Sequence, residues 1–262
     1  MDATSFYTPR LNAGLGLVPE TGRLLELWQP GVTPPILLQA AMDTGAFPSM
    51  SARRLRNMVT EAFAPRFLVD DGSPAKFLKS VQGRIAAADF RHLLLIYTCR
   101  ANPVLADFVR EVYWARYGAG LNVVLKEDAH AFISRAVADG KTRARWSDTT
   151  ILRVSQYVLG ACADFGLVGA MRGAGRVILP FRITPVVASF LAHDLHFRGL
   201  GDNAVVQHPD WMLFGLHPED TLEEMKRLAM NGQFILQSAA GMAHIAWKLK
   251  GMEELPDVLA AG

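Results

Sequence analysis

The chain of 262 residues reads as a mainly α protein with small β-hairpins, built as an N-terminal helical domain followed by winged-helix-like domains. Three features predict this. Apolar residues recur at helical spacing through most of the chain. Two β-rich pairs each follow a helical stretch, Leu167-Val168 with Val177 to Leu179 and Phe234 to Gln237 with His244 to Trp247. Glycines and an Asn-Gly punctuate the helical runs. The pattern divides the chain into a helical segment 1–100 resembling helix-turn-helix, a central segment 101–183 with winged-helix order, and a C-terminal helix-hairpin segment 184–262.

In the first segment, Glu20 to Trp28 forms one short helix, and Pro34 or Pro35 opens a second through Asp43, stopped by Gly45. A third begins after Ser51, with Leu55, Met58, Val59, Ala62 and Phe63 at the spacing of a core-facing helix. Its other face carries Arg53, Arg56, Asn57 and Thr60. Helix, turn and basic helix make Arg53, Arg54 and Arg56 candidate DNA contacts, although arginines at one solvated end are common in ordinary bundles. Helices follow at Lys76 to Arg84 and Asp89 to Cys99. Asn102-Pro103 opens another through Tyr117, ended by Gly118 and Gly120.

The central segment is the most informative. Glu127 to Ala138 is a helix stopped by Asp139-Gly140, and Lys141, Arg143 and Arg145 fill the connection to the next. Ser147 is a good N-cap, with Trp146 and Ile151 at the positions of a hydrophobic staple, so the helix starts at Asp148. At about 100° per residue, Thr149, Arg153, Gln156 and Gly160 share a narrow arc, opposite Ile151, Val154, Val158, Cys162 and Phe165. Gly166 ends this helix, and a loop with Arg172 and Arg176 at its tip leads to the β-rich run. A fold of this order lays one helix in the major groove while neighbouring loops touch phosphate. Lys141, Arg143, Arg145, Ser147, Thr149, Thr150, Arg153, Gln156, Arg172 and Arg176 are therefore the candidate contacts to double-stranded DNA.

Past Pro185 a helix runs to Phe197. A short helix near Asn203, the apolar run Trp211-Met212-Leu213-Phe214, a helix from Thr221 to Met230 with Glu224 completing a capping box, and a hairpin joined by Ala-Ala-Gly-Met follow. Charge separates this tail from the body. Residues 51–84 hold 7 Lys/Arg against 3 Asp/Glu and 135–182 hold 8 against 3, whereas 202–257 hold 4 against 9. Local patches rather than the net charge of +2 set attraction to phosphate, so the acidic tail is expected to contact protein rather than DNA.

The composition, 50 % hydrophobic, excludes a disordered chain. Cys99 and Cys162 stand alone without a secretory signal, which points to a reducing, cytoplasmic setting. The apolar runs are far shorter than the roughly 20 residues of a transmembrane helix, so no membrane partner is expected. His193 and His196, three apart on one helix, have no third ligand nearby in sequence and read as surface or interface histidines rather than a metal site. The glycine pairs lack the setting of a phosphate loop, and no nucleophile elbow is present. We therefore expect no enzyme, no catalytic residues, no metal, no cofactor and no small-molecule substrate.

Several scattered motifs carry a family resemblance: Tyr7-x-x-Arg10, Glu20 with Leu24-Leu25, Ser51 to Phe67 ending Pro65-Arg66-Phe67, Trp146-Ser147-x-x-Thr150, Asp164-Phe165-Gly166-Leu167, and Pro209-Asp210-Trp211 with Phe214. Over nearly its whole length the chain resembles the small BrxA-type proteins of bacterial BREX phage-defence systems. The resemblance implies a non-enzymatic, DNA-binding accessory protein of helical and winged-helix build, acting beside other BREX proteins. It supplies no catalytic residues. The contrasting expectation is an assembly adaptor without DNA binding, whose C-terminal run Trp211 to Phe214 docks a partner.

Overall fold

The computed structural model describes residues 6–9, 17–239 and 242–261. Arg10 and the Ala240-Gly241 pair of the C-terminal hairpin lie outside the described residues. The protein is mainly helical with two small antiparallel sheets. The chain divides into two compact units, Met1–Lys79 with Leu94–Pro180, and Ser80–Leu93 with Phe181–Gly262. This grouping differs from the three consecutive segments of the sequence pattern because packing joins stretches far apart in the chain. The helical and central segments share the first unit, and residues 80–93 join the tail.

The first unit opens with α1 (Val18–Leu27) and α2 (Pro34–Asp43), which bury Leu24, Leu25, Leu37 and Ala41. In α3 (Ala52–Asn57) the Ser51 hydroxyl caps the first turn, accepting from the Arg54 amide at 3.3 Å. A π-helical turn (Met58–Phe63) and α4 (Ala64–Phe67) continue it. Pro65 can donate nothing to the helical ladder, and the wider turn falls just ahead of it. Leu55, Met58, Val59, Ala62 and Phe63 are buried, as their spacing predicts, and Arg53, Arg54, Arg56, Asn57 and Thr60 are exposed. Next come α5 (Ser73–Val81), which ends short of Arg84, and α6 (Ala87–Ala101).

The remainder of this unit runs helix, strand, helix, helix, hairpin. Its first helix comprises α7 (Pro103–Phe108), a π-helical turn (Val109–Tyr113) and α8 (Trp114–Gly118). Strand β1 (Val123–Leu125), α9 (Lys126–Ala138), α10 (Asp148–Asp164), β2 (Val168–Arg172) and β3 (Gly175–Ile178) follow. The sheet is antiparallel in the order β1-β3-β2, with Val123 opposite Val177, Leu125 opposite Gly175 and Arg172 opposite Gly175. Strand β1 is absent from the sequence reading. At three residues it makes no visible alternation, and only its distant partner β3 makes it a strand.

Two glycines are required where the hairpin closes. Gly173 has φ +60° in the turn, a conformation that side chains other than hydrogen disfavour. Gly175 faces β1 so closely that a Cβ would overlap the Val124 carbonyl and crowd the Leu125 Cα. Backbone cannot yield as a side-chain tip can, so β1 must move if this residue grows.

In the second unit, α11 (Pro185–Phe197) is capped by the Thr184 hydroxyl, which accepts from the Val187 amide at 3.3 Å and donates to the Asp89 carboxylate at 2.6 Å. Helix α12 (Asp202–Val206), a 3-10 turn (Pro209–Phe214) and α13 (Pro218–Met230) precede the hairpin β4 (Phe234–Ala239) and β5 (Met242–Trp247), and α14 (Leu255–Ala261) ends the unit. The expected capping box of Thr221 and Glu224 is corrected. Helix α13 begins a turn earlier, where Asp220 accepts from the His217 amide at 3.1 Å, and Thr221 and Glu224 are buried. The free edge of β5 is blocked: the Ala243 and Ile245 amides donate to Asn203 and Asp202 side chains, each at 2.8 Å.

The apolar run Trp211 to Phe214 is core rather than a docking surface. Trp211 is 1 % exposed, its indole N–H donates to the Val205 carbonyl at 2.8 Å, and Phe214 stacks on Phe181 at 5.5 Å. His92 lies against the Phe181 ring at 4.5 Å, and burial pushes its imidazole down to about 4.

Two outcomes follow from this packing. Gly175→Ala is expected to lower stability by about 1–3 kcal/mol through overpacking, read as a shift in the denaturant midpoint; an unchanged midpoint would mean that β1 yields freely. For His92 the folded pKa, about 4, lies below the usual 6.5, so the unfolded chain binds the proton first. Its contribution is complete above pH 6.5 and is lost as pH falls towards 4. The melting temperature should therefore drop between pH 7 and pH 5, and drop less in His92→Gln; parallel pH profiles for the two proteins would contradict this.

Candidate nucleic-acid interface

Helix α10 is the centre of the candidate surface. The Ser147 hydroxyl accepts from the Thr150 amide at 3.3 Å, so the helix starts at Asp148 as the sequence predicts. Ile151, Val154, Val158, Cys162 and Phe165 are buried, whereas Thr149, Arg153 and Gln156 are exposed and Thr150 is half-buried. Trp146 is half-buried ahead of the buried Ile151. The Ser155 hydroxyl, also buried, turns back to the Ile151 carbonyl at 2.7 Å. Burial pushes the Cys162 thiol up to about 12, leaving no reactive thiolate on this helix.

The basic candidates separate by their partners. Arg143, Arg145 and Arg153 are exposed before and along α10, and Arg172 is exposed where β2 meets the turn. Lys141 is corrected. It is half-buried, with its ammonium 3.5 Å from Glu111, 3.6 Å from Asp107 and 3.3 Å from the Tyr7 hydroxyl. Two carboxylates already satisfy its charge. Arg176 is corrected too: it lies within β3, half-buried, and donates to the Gly169 carbonyl at 3.0 Å instead of standing at the loop tip. The turn between β2 and β3 is shorter than the sequence suggests, because the residues around Gly169 and Gly175 are strand. Arg53, Arg54 and Arg56 lie on α3, a separate element from α10.

A tether at the N-terminal end of the chain escapes sequence reasoning. The Tyr7 amide donates to the Lys141 carbonyl at 2.7 Å, making a parallel bridge to Thr142, and its hydroxyl donates to Asp107 at 2.5 Å. Burial, then the bonded carboxylate, drives the Tyr7 phenol far above its ordinary pKa. Phe6 lies under the Arg143 guanidinium at 5.9 Å. The connection that carries Arg143 is thus held by a segment more than 130 residues away in sequence, at a separation no local pattern encodes.

Helix α10 also holds a residue missed by the polar-arc reading. Leu152 is 52 % exposed and about 40° from Gln156 around the helix. Its place was readable from the same helical projection. One of the two tail histidines is corrected. His193 is 0 % exposed, with Nδ1 2.8 Å from the Ser189 carbonyl, and burial holds its pKa down, whereas His196 is half-buried and stacks on Trp247 at 4.2 Å. Among the described residues no group of three or more His, Cys, Asp or Glu is placed to hold a metal, and no helix is long and apolar enough to cross a membrane.

Fold and site together define a helical protein that presents a capped helix with arginines before it, along it and on the following hairpin. A family model named BrxA matches residues 5–194, and the chain belongs to the BrxA family. Membership associates it with the BREX antiviral defence systems. The chain is also similar in fold to the crystal structure of an uncharacterized protein from Magnetospirillum magneticum, at 14 % identity and a TM-score of 0.56, covering 72 % of this chain and 94 % of that one. Among curated proteins none matches.

The helical phase has a direct check. Arg153→Ala and Gln156→Ala should leave the melting temperature within about a degree or two, as exposed substitutions do, whereas Phe165→Ala should cost about 3–5 kcal/mol. Equal destabilisation of all three would mean that the exposed face is misassigned.

Proposed function

We propose that this protein is a non-enzymatic accessory factor of a BREX phage-defence system that binds double-stranded DNA through the winged helix of residues 101–183. The observation that carries the reading is the exposed arc of α10, which includes Arg153 and is flanked by Arg143, Arg145 and Arg172; among the described residues none of these four arginines has a carboxylate partner. The order helix, strand, helix, helix, hairpin supports the winged-helix assignment, with α10 as recognition helix and the β2–β3 turn as wing. In such modules the N-terminal turns of the recognition helix meet base edges while basic residues beside it bind phosphate. Cys99 and Cys162 are buried and not joined in a disulfide, which fits a reducing, cytoplasmic setting.

A second reading, contact with another BREX protein through the tail, draws on one observation. Met230, Ile235 and Met242 are 86 %, 59 % and 65 % exposed around the C-terminal hairpin. This reading is compatible with DNA binding by the first unit.

Titrating the full chain onto a short duplex at several salt concentrations tests the proposal. Four arginine contacts should give a log–log slope of about −3 to −4, at roughly −0.9 per neutralised phosphate. Changing Arg143, Arg145 and Arg172 together to Glu should abolish binding with the fold intact by circular dichroism. Absent or salt-independent duplex binding, or binding that survives the triple change, would reject the reading in favour of the adaptor.

A further inference from the structure

The exposed arc of α10 has a composition that phosphate binding does not need. Across its first two and a half turns it presents Thr149, Leu152, Arg153 and Gln156, with Gln156 and Thr149 at the centre and Leu152 and Arg153 on either side. Every other large aliphatic of this helix is at most 8 % exposed, namely Ile151, Val154, Val158 and Leu159, whereas Leu152 is 52 % exposed. The arc is framed by arginines, so its occupant is anionic, and an apolar side chain within it has no role against phosphate. Asp148, exposed at the start of the helix, is the acidic residue nearest to Leu152 in the helical projection and would oppose phosphate there.

Resting on the DNA-binding reading, we propose that Leu152 and Gln156 make α10 a reader of A·T pairs in the major groove. A glutamine amide matches adenine, accepting from the N6 amino group and donating to N7. An aliphatic side chain matches the C5 methyl of thymine. Residues four apart on one helical face are about 6 Å apart along the axis. That distance is close to two base-pair rises of about 3.4 Å, so the pair reads an adenine and a thymine one or two steps away. Arg143, Arg145 and Arg172 supply the sequence-independent attraction, and Leu152 and Gln156 supply the choice.

The test uses the full chain with three short duplexes of equal charge: alternating A·T, the same duplex with uracil for thymine, and alternating G·C. Uracil removes only the C5 methyl from the major groove. The A·T duplex should bind about tenfold tighter than G·C and about fourfold tighter than its uracil counterpart, or about 0.8 kcal/mol. Leu152→Ala should bring the thymine-to-uracil ratio to one while keeping much of the A·T preference, and Gln156→Ala should reduce the A·T preference while keeping the thymine-to-uracil ratio. Both residues are exposed, so neither variant should change the melting temperature. Salt-dependent binding that is equal on all three duplexes would overturn the sequence reading and leave DNA binding intact. A thymine-to-uracil ratio that is the same in wild type and Leu152→Ala would also overturn it. Loss of all duplex binding in the wild type would overturn both.

Discussion

The surface of this protein depends on the burial of one face of α10. Ile151, Val154, Val158, Cys162 and Phe165 fix the rotation of the helix, because turning it by one residue would expose several of them and bury Arg153 or Gln156. Burying a large apolar side chain is worth about 1.5–3 kcal/mol, so several together exceed anything an exposed polar group can contribute. The polar arc is therefore a consequence of core packing. The Ser147 cap sets where the helix begins, and the sheet beside it sets where the helix is anchored.

That sheet has its own constraint. Strand β3 lies between β1 and β2, and the missing side chain at Gly175 lets β1 approach. The hairpin is held from both sides, which places Arg172 at the turn and turns Arg176 back onto the Gly169 carbonyl. At the other end of α10, the Tyr7–Asp107–Lys141 cluster ties down the connection and consumes the lysine charge, leaving Arg143 and Arg145 outward. Internal pairing thus reduces the basic inventory to the arginines that lack such partners. The second unit carries the acid-rich tail, of which residues 195–262 lie beyond the span of the family match.

The sequence alone determined the helical character, the start and rotation of α10, the capping serine, the two hairpins and the family. These are legible because they rest on local physics: a cap, a helical period and a turn act over a few residues, and the BrxA motifs are spread along the chain. Tertiary structure alone decided β1, the tether from Tyr7 to the 141–142 connection, the burial of Trp211 to Phe214 and His193, and the pairing of Lys141 and Arg176. Each of these depends on a partner distant in sequence or on which apolar surface happens to cover which. A lysine reads the same whether it faces water or two carboxylates, and an apolar run reads the same whether it docks a partner or fills its own core. Leu152 falls between the two. Its angle was available from the helical period, but only the packing of every neighbouring aliphatic inward marks it as the one left in solvent on that helix.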